Sequence, residues 1–251
     1  MEVTLLGTGA PLAPGRATLG ILVTAPGCAP LLIDTCGGFE LARQLARAGQ
    51  PLAGLRDVIV THRHLDHAGG VPALLLANLP LDIHATEDTH AGLRALMGAC
   101  FPEWPVHPAV ARPVVAPGAR REIGGFAVEF FAVEHRVATV ALRVAHGGRT
   151  LAFSADSVPC DALVACARDA DLFVCDALCA ARDGAEHARR ARELMHPIAR
   201  EVAETAARAG AGALALVHLA RYANPANLLA EAGEVYTGPL TVPDDGQRYA
   251  V

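Results

Sequence analysis

Thr61 to Gly70 reads Thr-His-Arg-His-Leu-Asp-His-Ala-Gly-Gly, which puts three histidines and an aspartate within six positions. Imidazole and carboxylate together suit zinc and neighbouring first-row divalent ions, and so dense a set of donors suits two ions better than one. His62 and His64, two apart, can point the same way, while Asp66 and His67 can turn toward a second ion. Two such ions, about 3.5 to 4 Å apart, bring a shared water toward hydroxide near pH 7. A solvated loop that happens to be rich in histidine is the ordinary alternative, yet this pattern arises by chance on the order of once per thousand chains of such composition.

The residues around the loop predict how it is held. Arg56 to Thr61 is an apolar, β-branched run of strand length, and Gly69-Gly70 breaks regular structure, so the histidines leave the C-terminal end of a strand. Further ligands are then expected at other strand ends. His135 lies between two predicted strands, Asp156 follows Leu151 to Ser154, and His218 follows Ala213 to Val217.

In order, the chain predicts strands at Val3 to Leu6, Ala17 to Thr24 and Pro30 to Asp34, then a helix over Phe39 to Ala48 capped by Gly49. Helices over Val71 to Ala77 and Thr89 to Cys100 flank a strand at Leu81 to Ala85. Residues 101–117 carry five prolines and are expected to form irregular surface or a lid. Arg120 to Val133 and Thr139 to Ala145 are predicted strands on either side of Glu134-His135-Arg136. A helix over Asp161 to Arg168 separates the strand at Leu151 to Ser154 from one at Asp171 to Cys175. Glu186 to Ala209 is the longest helical stretch, and Pro197 within it predicts a kink or break at Met195-His196. A last helix covers Pro225 to Glu231. This alternation argues an α/β fold of two sheets covered by helices.

The 251 residues, 52% apolar and 19% charged, fit one domain over 1-251. An acidic second residue and the lack of any apolar run near 18 residues predict neither signal peptide nor membrane span, hence a cytoplasmic protein. Seven scattered cysteines set among aliphatic residues predict packed thiols and no disulfide framework. Net charge is −5, and all 21 basic residues are arginine. The small cluster Arg189, Arg190 and Arg192, close to Glu186 and Glu193, reads as the wet face of a helix.

The sequence resembles the metallo-β-lactamase superfamily, and within it the phosphodiesterase branch that includes ribonuclease Z. The resemblance spans nearly the whole chain and rests on Leu6-Gly7-Thr8-Gly9, Ile33 to Gly37, the His62-x-His64-x-Asp66-His67 loop, His135, Phe153 to Asp156, Met195-His196 and Val217-His218. It implies a four-layer αβ/βα sandwich with the metals at one edge. It implies two Zn²⁺ ions, with Mn²⁺ as an alternative. His62, His64 and His135 would hold one, Asp66, His67 and His218 the other, and Asp156 would bridge them. Asp34 would orient a ligand histidine. The catalytic set would be Asp66, His196 and Asp176, with His196 protonating the leaving oxygen and Asp176 standing where ribonuclease Z has a glutamate. A homodimer is a further implication.

Three departures bear on substrate. Gly147 to Thr150 passes directly into the Asp156 strand and leaves no room for the tRNA-gripping arm of ribonuclease Z. The loop Ala10 to Arg16 has a single basic residue. The chain is acidic and has no lysine, although RNA binding depends on phosphate contacts from basic groups. The first reading is therefore a phosphodiesterase acting through a metal-bridging hydroxide on a small molecule or short oligonucleotide. A tRNA 3′ endoribonuclease, a lactone, thioester or β-lactam hydrolase, and a non-catalytic scaffold are the alternatives. His84, His90, His107, His146 and His187 fall outside the pattern and are expected on the surface or in turns, with His107 the one expected to touch substrate.

Overall fold

The computed structural model describes residues 1–103 and 109–251. The first half runs β1 (Glu2–Gly7), β2 (Gly20–Thr24), β3 (Leu31–Ile33), α1 (Glu40–Ala48), β4 (Asp57–Ile59), α2 (Leu65–Ala68), α3 (Val71–Leu76), β5 (Asp82–His84) and α4 (Glu87–Cys100). The second runs β6 (Arg120–Ile123), β7 (Phe126–Val133), β8 (Thr139–His146), β9 (Arg149–Phe153), α5 (Asp161–Ala167), β10 (Leu172–Asp176), α6 (Ala185–Glu193), α7 (Ala199–Ala209), β11 (Leu214–Val217), α8 (Pro225–Ala232), β12 (Leu240–Thr241) and β13 (Arg248–Ala250). One sheet has the order β13-β1-β2-β3-β4-β5 and the other β12-β11-β10-β9-β8-β7-β6.

Side-chain alternation along the strands builds the layers. Val3, Leu31, Ile33 and Ile59 meet Phe130, Leu142, Phe153, Val174 and Val217 in a core between the sheets. Their neighbours Leu6, Leu32, Val58 and Val60 face outward to Leu41 and Leu45 of α1 and Leu74 of α3. On the far side Phe173, Cys175, Leu214 and Leu216 face Leu163 of α5, Val202 and Ala206 of α7 and Leu228 of α8. Strands covered on both faces must read as continuous apolar runs, as these do. Each fully buried Leu or Phe contributes about 1.5–3 kcal/mol. The result is the four-layer αβ/βα arrangement expected.

Strand direction positions the site. β3, β4 and β5 are mutually parallel, as are β9, β10, β11 and β12. Loops at the C-terminal ends of parallel strands form the usual ligand crevice. Asp34 follows β3, His62 follows β4, Asp156 follows β9, Asp176 ends β10 and His218 follows β11.

Several expectations need correction. The strand expected over 120–133 is a hairpin, because Gly124 and Gly125 hold φ of 60° and 93° and turn β6 back onto β7. The strand expected from Ala17 starts at Gly20, and Leu65–Ala68 forms a helical turn inside the histidine loop. The break expected at Met195-His196 is present, as Pro197 requires: α6 ends at Glu193 and α7 starts at Ala199. The small strands β12 and β13 were not foreseen. His84 and His90, expected on the surface, are buried: His84 bonds to Asp57 at 3.0 Å and His90 to the Pro113 carbonyl at 3.2 Å. Of the proline-rich segment, residues 104–108 lie outside the described residues, His107 with them, while Ala111 and Val114 bridge to Asp82 and Ala85. Cys36, Cys166, Cys175 and Cys179 are buried free thiols, but Cys100 is exposed. Arg189 pairs with Glu186 and Glu193 on the exposed face of α6. Among the described residues, no helix is long and apolar enough to cross a membrane.

Candidate metal and acid-base site

The histidine loop hangs from a single buried carboxylate. Asp34 accepts hydrogen bonds from the Thr61 amide at 2.8 Å, from the Thr61 hydroxyl at 2.9 Å, and from Nδ1 of His67 at 2.8 Å. Nδ1 of His62 in turn lies 3.1 Å from the Thr61 hydroxyl. That hydroxyl gives its proton to Asp34 and accepts from His62. Asp34 therefore fixes His67 directly and His62 through Thr61, and both rings turn their Nε2 atoms the other way. The loop is pressed against Thr35 so closely that a Cβ on Gly70 would sit 2.0 Å from the Thr35 carbonyl oxygen, so only glycine fits there.

Residues from the second sheet close the site. Asp156 puts Oδ1 3.2 Å from Nε2 of His67 and 3.7 Å from Nε2 of His218, and Oδ2 3.6 Å and 3.7 Å from Nε2 of His62 and His135. Nδ1 of His64 and Nε2 of His135 are 3.1 Å apart, and Nε2 of His218 is 3.2 Å from Oδ2 of Asp66. One group of donor atoms, from His62, His64, His135 and Asp156, lies within 4.8 Å of one another; so does a second, from Asp66, His67, Asp156 and His218. A third group joins Asp156, Asp176, His196 and His218. All seven residues expected as ligands thus converge, and His196 and Asp176 border them.

The broken helix delivers His196. Leu178 donates to the Pro197 carbonyl at 3.1 Å and Ala199 to that of Cys179 at 2.9 Å, which docks the break beside the end of β10. There Nδ1 of His196 meets Oδ2 of Asp176 at 2.7 Å. The Met195 carbonyl faces Nδ1 of His135 at 3.4 Å. Asp176 Oδ1 is 3.4 Å from Nδ1 of His218, an ion-pair distance without hydrogen-bond alignment, since both atoms are otherwise unpartnered.

The charges are matched in pairs. Burial is the largest single influence and works against protonation of His67 and His218, but the surrounding carboxylates together outweigh it, Asp156 with Asp34 at His67 and Asp156 with Asp176 and Asp66 at His218; His67 stays protonated well above the usual range, and His218 is pushed up to about 10. Burial alone would raise Asp156, yet His218 and His67 hold its carboxyl well below the carboxylate range. Burial drives His62 down and takes His135 to about 4, so these two imidazoles are neutral. Neutral imidazoles and ionised carboxylates are the forms that bind metal, so His62, His135 and Asp156 are ready for it, whereas His67 and His218 would each release a proton on binding.

The donors fit a divalent metal centre by a further observation. Nε2 of His62, Nε2 of His67 and Oδ1 of Asp156 are buried and have no hydrogen-bond partner. A buried polar atom left unpaired costs about 1–3 kcal/mol. Three such atoms aimed at one space are what an ion would satisfy. His196 differs, because 11% of its side chain is exposed whereas His62 and His67 expose none.

Some of the machinery had no sequence signal. Asp34, Ala155, Met195 and His218 all hold left-handed φ, between 51° and 63°. Such strain costs about 1–3 kcal/mol per residue for non-glycine side chains and gathers at functional sites. Thr61 as the link between Asp34 and His62, and the second contact of Asp176, were also missed. A threonine directly before a ligand histidine was the only available hint.

Comparison with known proteins agrees with this geometry. Residues 30–219 match the family described as the beta-lactamase superfamily domain. Ribonuclease Z of Mycobacterium sp. (strain KMS) is 32% identical over an alignment of 279 positions, covering 100% of this chain and 96% of that protein. The metallo-beta-lactamase fold protein YhfI from Bacillus subtilis superposes with a TM-score of 0.85 at 25% identity, over 99% of this chain and 98% of that one. Human tRNase Z, short form, has the same fold with a TM-score of 0.75 at 20% identity, over 100% and 99% of the two chains.

Proposed function

The chain belongs to the metallo-β-lactamase superfamily and is a hydrolase of that superfamily, and from this premise we propose that it is a phosphodiesterase acting on a small or short phosphodiester. His62, His64 and His135 would hold one zinc ion and Asp66, His67 and His218 a second, with Asp156 shared; manganese is the alternative metal. Bound there, the ions would supply Lewis acidity that brings a water toward hydroxide near neutral pH and screens the phosphoryl oxygens. Asp34 keeps Nε2 of His67 turned inward and, through Thr61, that of His62.

The observation that carries the reaction class is His196. Its Nδ1 is held by Asp176 at 2.7 Å, and its ring stacks 4.9 Å from that of His218. Burial is the largest influence and works against its protonation, but Asp176 and Asp156 together outweigh it and keep the pKa raised. An imidazolium so held can give its Nε2 proton to a departing alkoxide, a poor leaving group that must be protonated. A thioester, which expels a thiolate, has less need of such an acid. A homodimer is carried as part of the proposal.

One observation favours a second reading, tRNA 3′ processing: the 32% identity to a ribonuclease Z runs through the whole chain. Against it stand the acidic, lysine-free composition and the direct β8–β9 hairpin where a gripping arm would insert. The test is a substrate panel on zinc- and manganese-loaded protein: bis(p-nitrophenyl) phosphate, 2′,3′-cyclic nucleotides, a lactone and a pre-tRNA. Turnover of the small phosphodiesters with higher kcat/KM than the other two is expected. Preference for the lactone would overturn the reaction class, and preference for the pre-tRNA would overturn the substrate size.

A further inference from the structure

A cleft of about 380 Å³ opens beside Asp66, between Pro11, Leu12 and Leu65 and over Gly38 and Gly69. Leu12 is 82% exposed and Leu65 64%, and Phe39, next along the chain from Gly38, is 68% exposed. A single exposed leucine needs no explanation, but two lining one concavity, with Phe39 exposed on the chain beside it, mark a binding surface. The apolar wall is built in. Leu12 holds φ of 64°, a conformation leucine enters only at a cost, and its backbone presents the side chain outward. The floor is bare backbone by necessity, since a Cβ on Gly69 would lie 2.3 Å from the Leu65 carbonyl oxygen.

The nearby cations do not serve this cleft. Arg16, the basic residue of the loop that carries Leu12, turns inward: its guanidinium donates to the Thr8 hydroxyl, to the Pro243 carbonyl at 2.6 Å and to Asp244 at 2.8 Å. Arg63, two residues before Leu65, donates to Asp88 at 2.8 Å. A phosphate chain laid here would meet hydrocarbon, whereas an alkyl or aryl group would bury it. Asp66 borders both the cleft and the second donor group, so one small molecule can span them.

We infer that this cleft is a subsite for an apolar group, and that the substrates are phosphodiesters bearing an alkyl, acyl or aryl substituent. The inference rests on the phosphodiesterase reading for its reacting centre, and binding measurements separate the two. n-Alkyl phosphates from methyl to octyl are titrated calorimetrically into zinc-loaded protein. Affinity is expected to rise roughly two- to fourfold per methylene until the cleft is filled. Leu12→Asn, whose side chain tolerates the left-handed backbone, should cut the ratio of octyl to methyl affinity by about tenfold or more. Chain-length-independent affinity, no binding at any length, or an unchanged ratio in Leu12→Asn would each overturn the subsite. So would an unchanged ratio with a shift from dimer to monomer on sedimentation, which would assign the patch to a contact between copies of the chain. Hydrolysis of p-nitrophenyl alkyl phosphates is measured alongside. Length-dependent binding without hydrolysis would retain the cleft and reject the phosphodiesterase; hydrolysis without length dependence would do the reverse.

Discussion

Nδ1 of His196 donates to Oδ2 of Asp176 at 2.7 Å, and this bond joins the end of β10 to the break between α6 and α7. Its direction matters. With Nδ1 committed to the carboxylate, the imidazole is left with Nε2 as its working atom. Asp176 is fully buried, and its other oxygen lies 3.4 Å from Nδ1 of His218. One carboxylate thus orients the proposed acid and stands at ion-pair distance from a proposed metal ligand, and a defect at Asp176 should be felt at both.

Asp156 is the residue common to both donor groups. Purified protein should carry close to two zinc or manganese ions per chain, and Asp156→Ala should fall to one or fewer and lose most activity. Elemental analysis of both proteins decides it. Full occupancy in the variant would remove Asp156 from the proposed bridging role.

Asp34 touches no other carboxylate of the cluster, yet it orients two of its histidines. Asp34→Asn keeps the volume but replaces one anionic acceptor by an amide, and partners of this kind typically govern metal affinity by about 10- to 100-fold. A zinc titration against a competing chelator should show that loss with the fold retained by circular dichroism. Unchanged affinity would reduce Asp34 to a structural link between β3 and β4.

The metal-free protein should be alkali-sensitive. His67 and His218 have folded pKa values raised above the ordinary 6.5 by Asp156 and its neighbours, with His218 at about 10. A raised folded pKa contributes stability that is complete below the unfolded value and is lost as pH climbs through the folded one. Between pH 6.5 and 10 the chelated protein should therefore lose Tm, at about 2–4 °C per kcal/mol for a chain of this size. Asp156 acts oppositely: its lowered pKa contributes above about pH 4 and is lost in acid. Differential scanning calorimetry across this range, with and without zinc, checks the sign. A Tm that holds or rises to pH 10 without metal would contradict the paired-charge account.

Much of this was legible because the chemistry is concentrated. The loop from His62 to His67 announces itself by composition, and His135, Asp156 and His218 follow because strand ends are where loops can converge. Pro197 marked the break that frees His196, since proline removes a donor and disfavours helix before it. The rest lacked a periodic signal. Strands of two and three residues such as Leu240–Thr241 and Arg248–Ala250 are too short to show alternation. The burial of His84 and His90 depends on Asp57 and the Pro113 carbonyl, partners 27 and 23 residues away that no local window contains. Left-handed φ at Ala155 and Met195 is imposed by tertiary contacts, because neither residue type favours it.

The sharpest prediction concerns proton delivery. His196→Ala should lower kcat on a ribose phosphodiester by roughly 10²- to 10⁴-fold, with metal content unchanged, because Nε2 of His196 stands outside the buried, unpartnered donors. The loss should be much smaller on bis(p-nitrophenyl) phosphate, since p-nitrophenolate departs without protonation. Asp176→Asn should follow the same pattern more weakly and also disturb His218, so its zinc affinity should fall where that of His196→Ala does not. A structural role for His196 at the helix break makes a different forecast: Tm drops and both esters slow alike. Measuring kcat for the two esters in His196→Ala, with zinc content and Tm beside them, separates the cases. Equal losses on both leaving groups, or no loss on either, would reject the general acid and turn the assignment toward an ester whose leaving group departs unaided, such as a thioester.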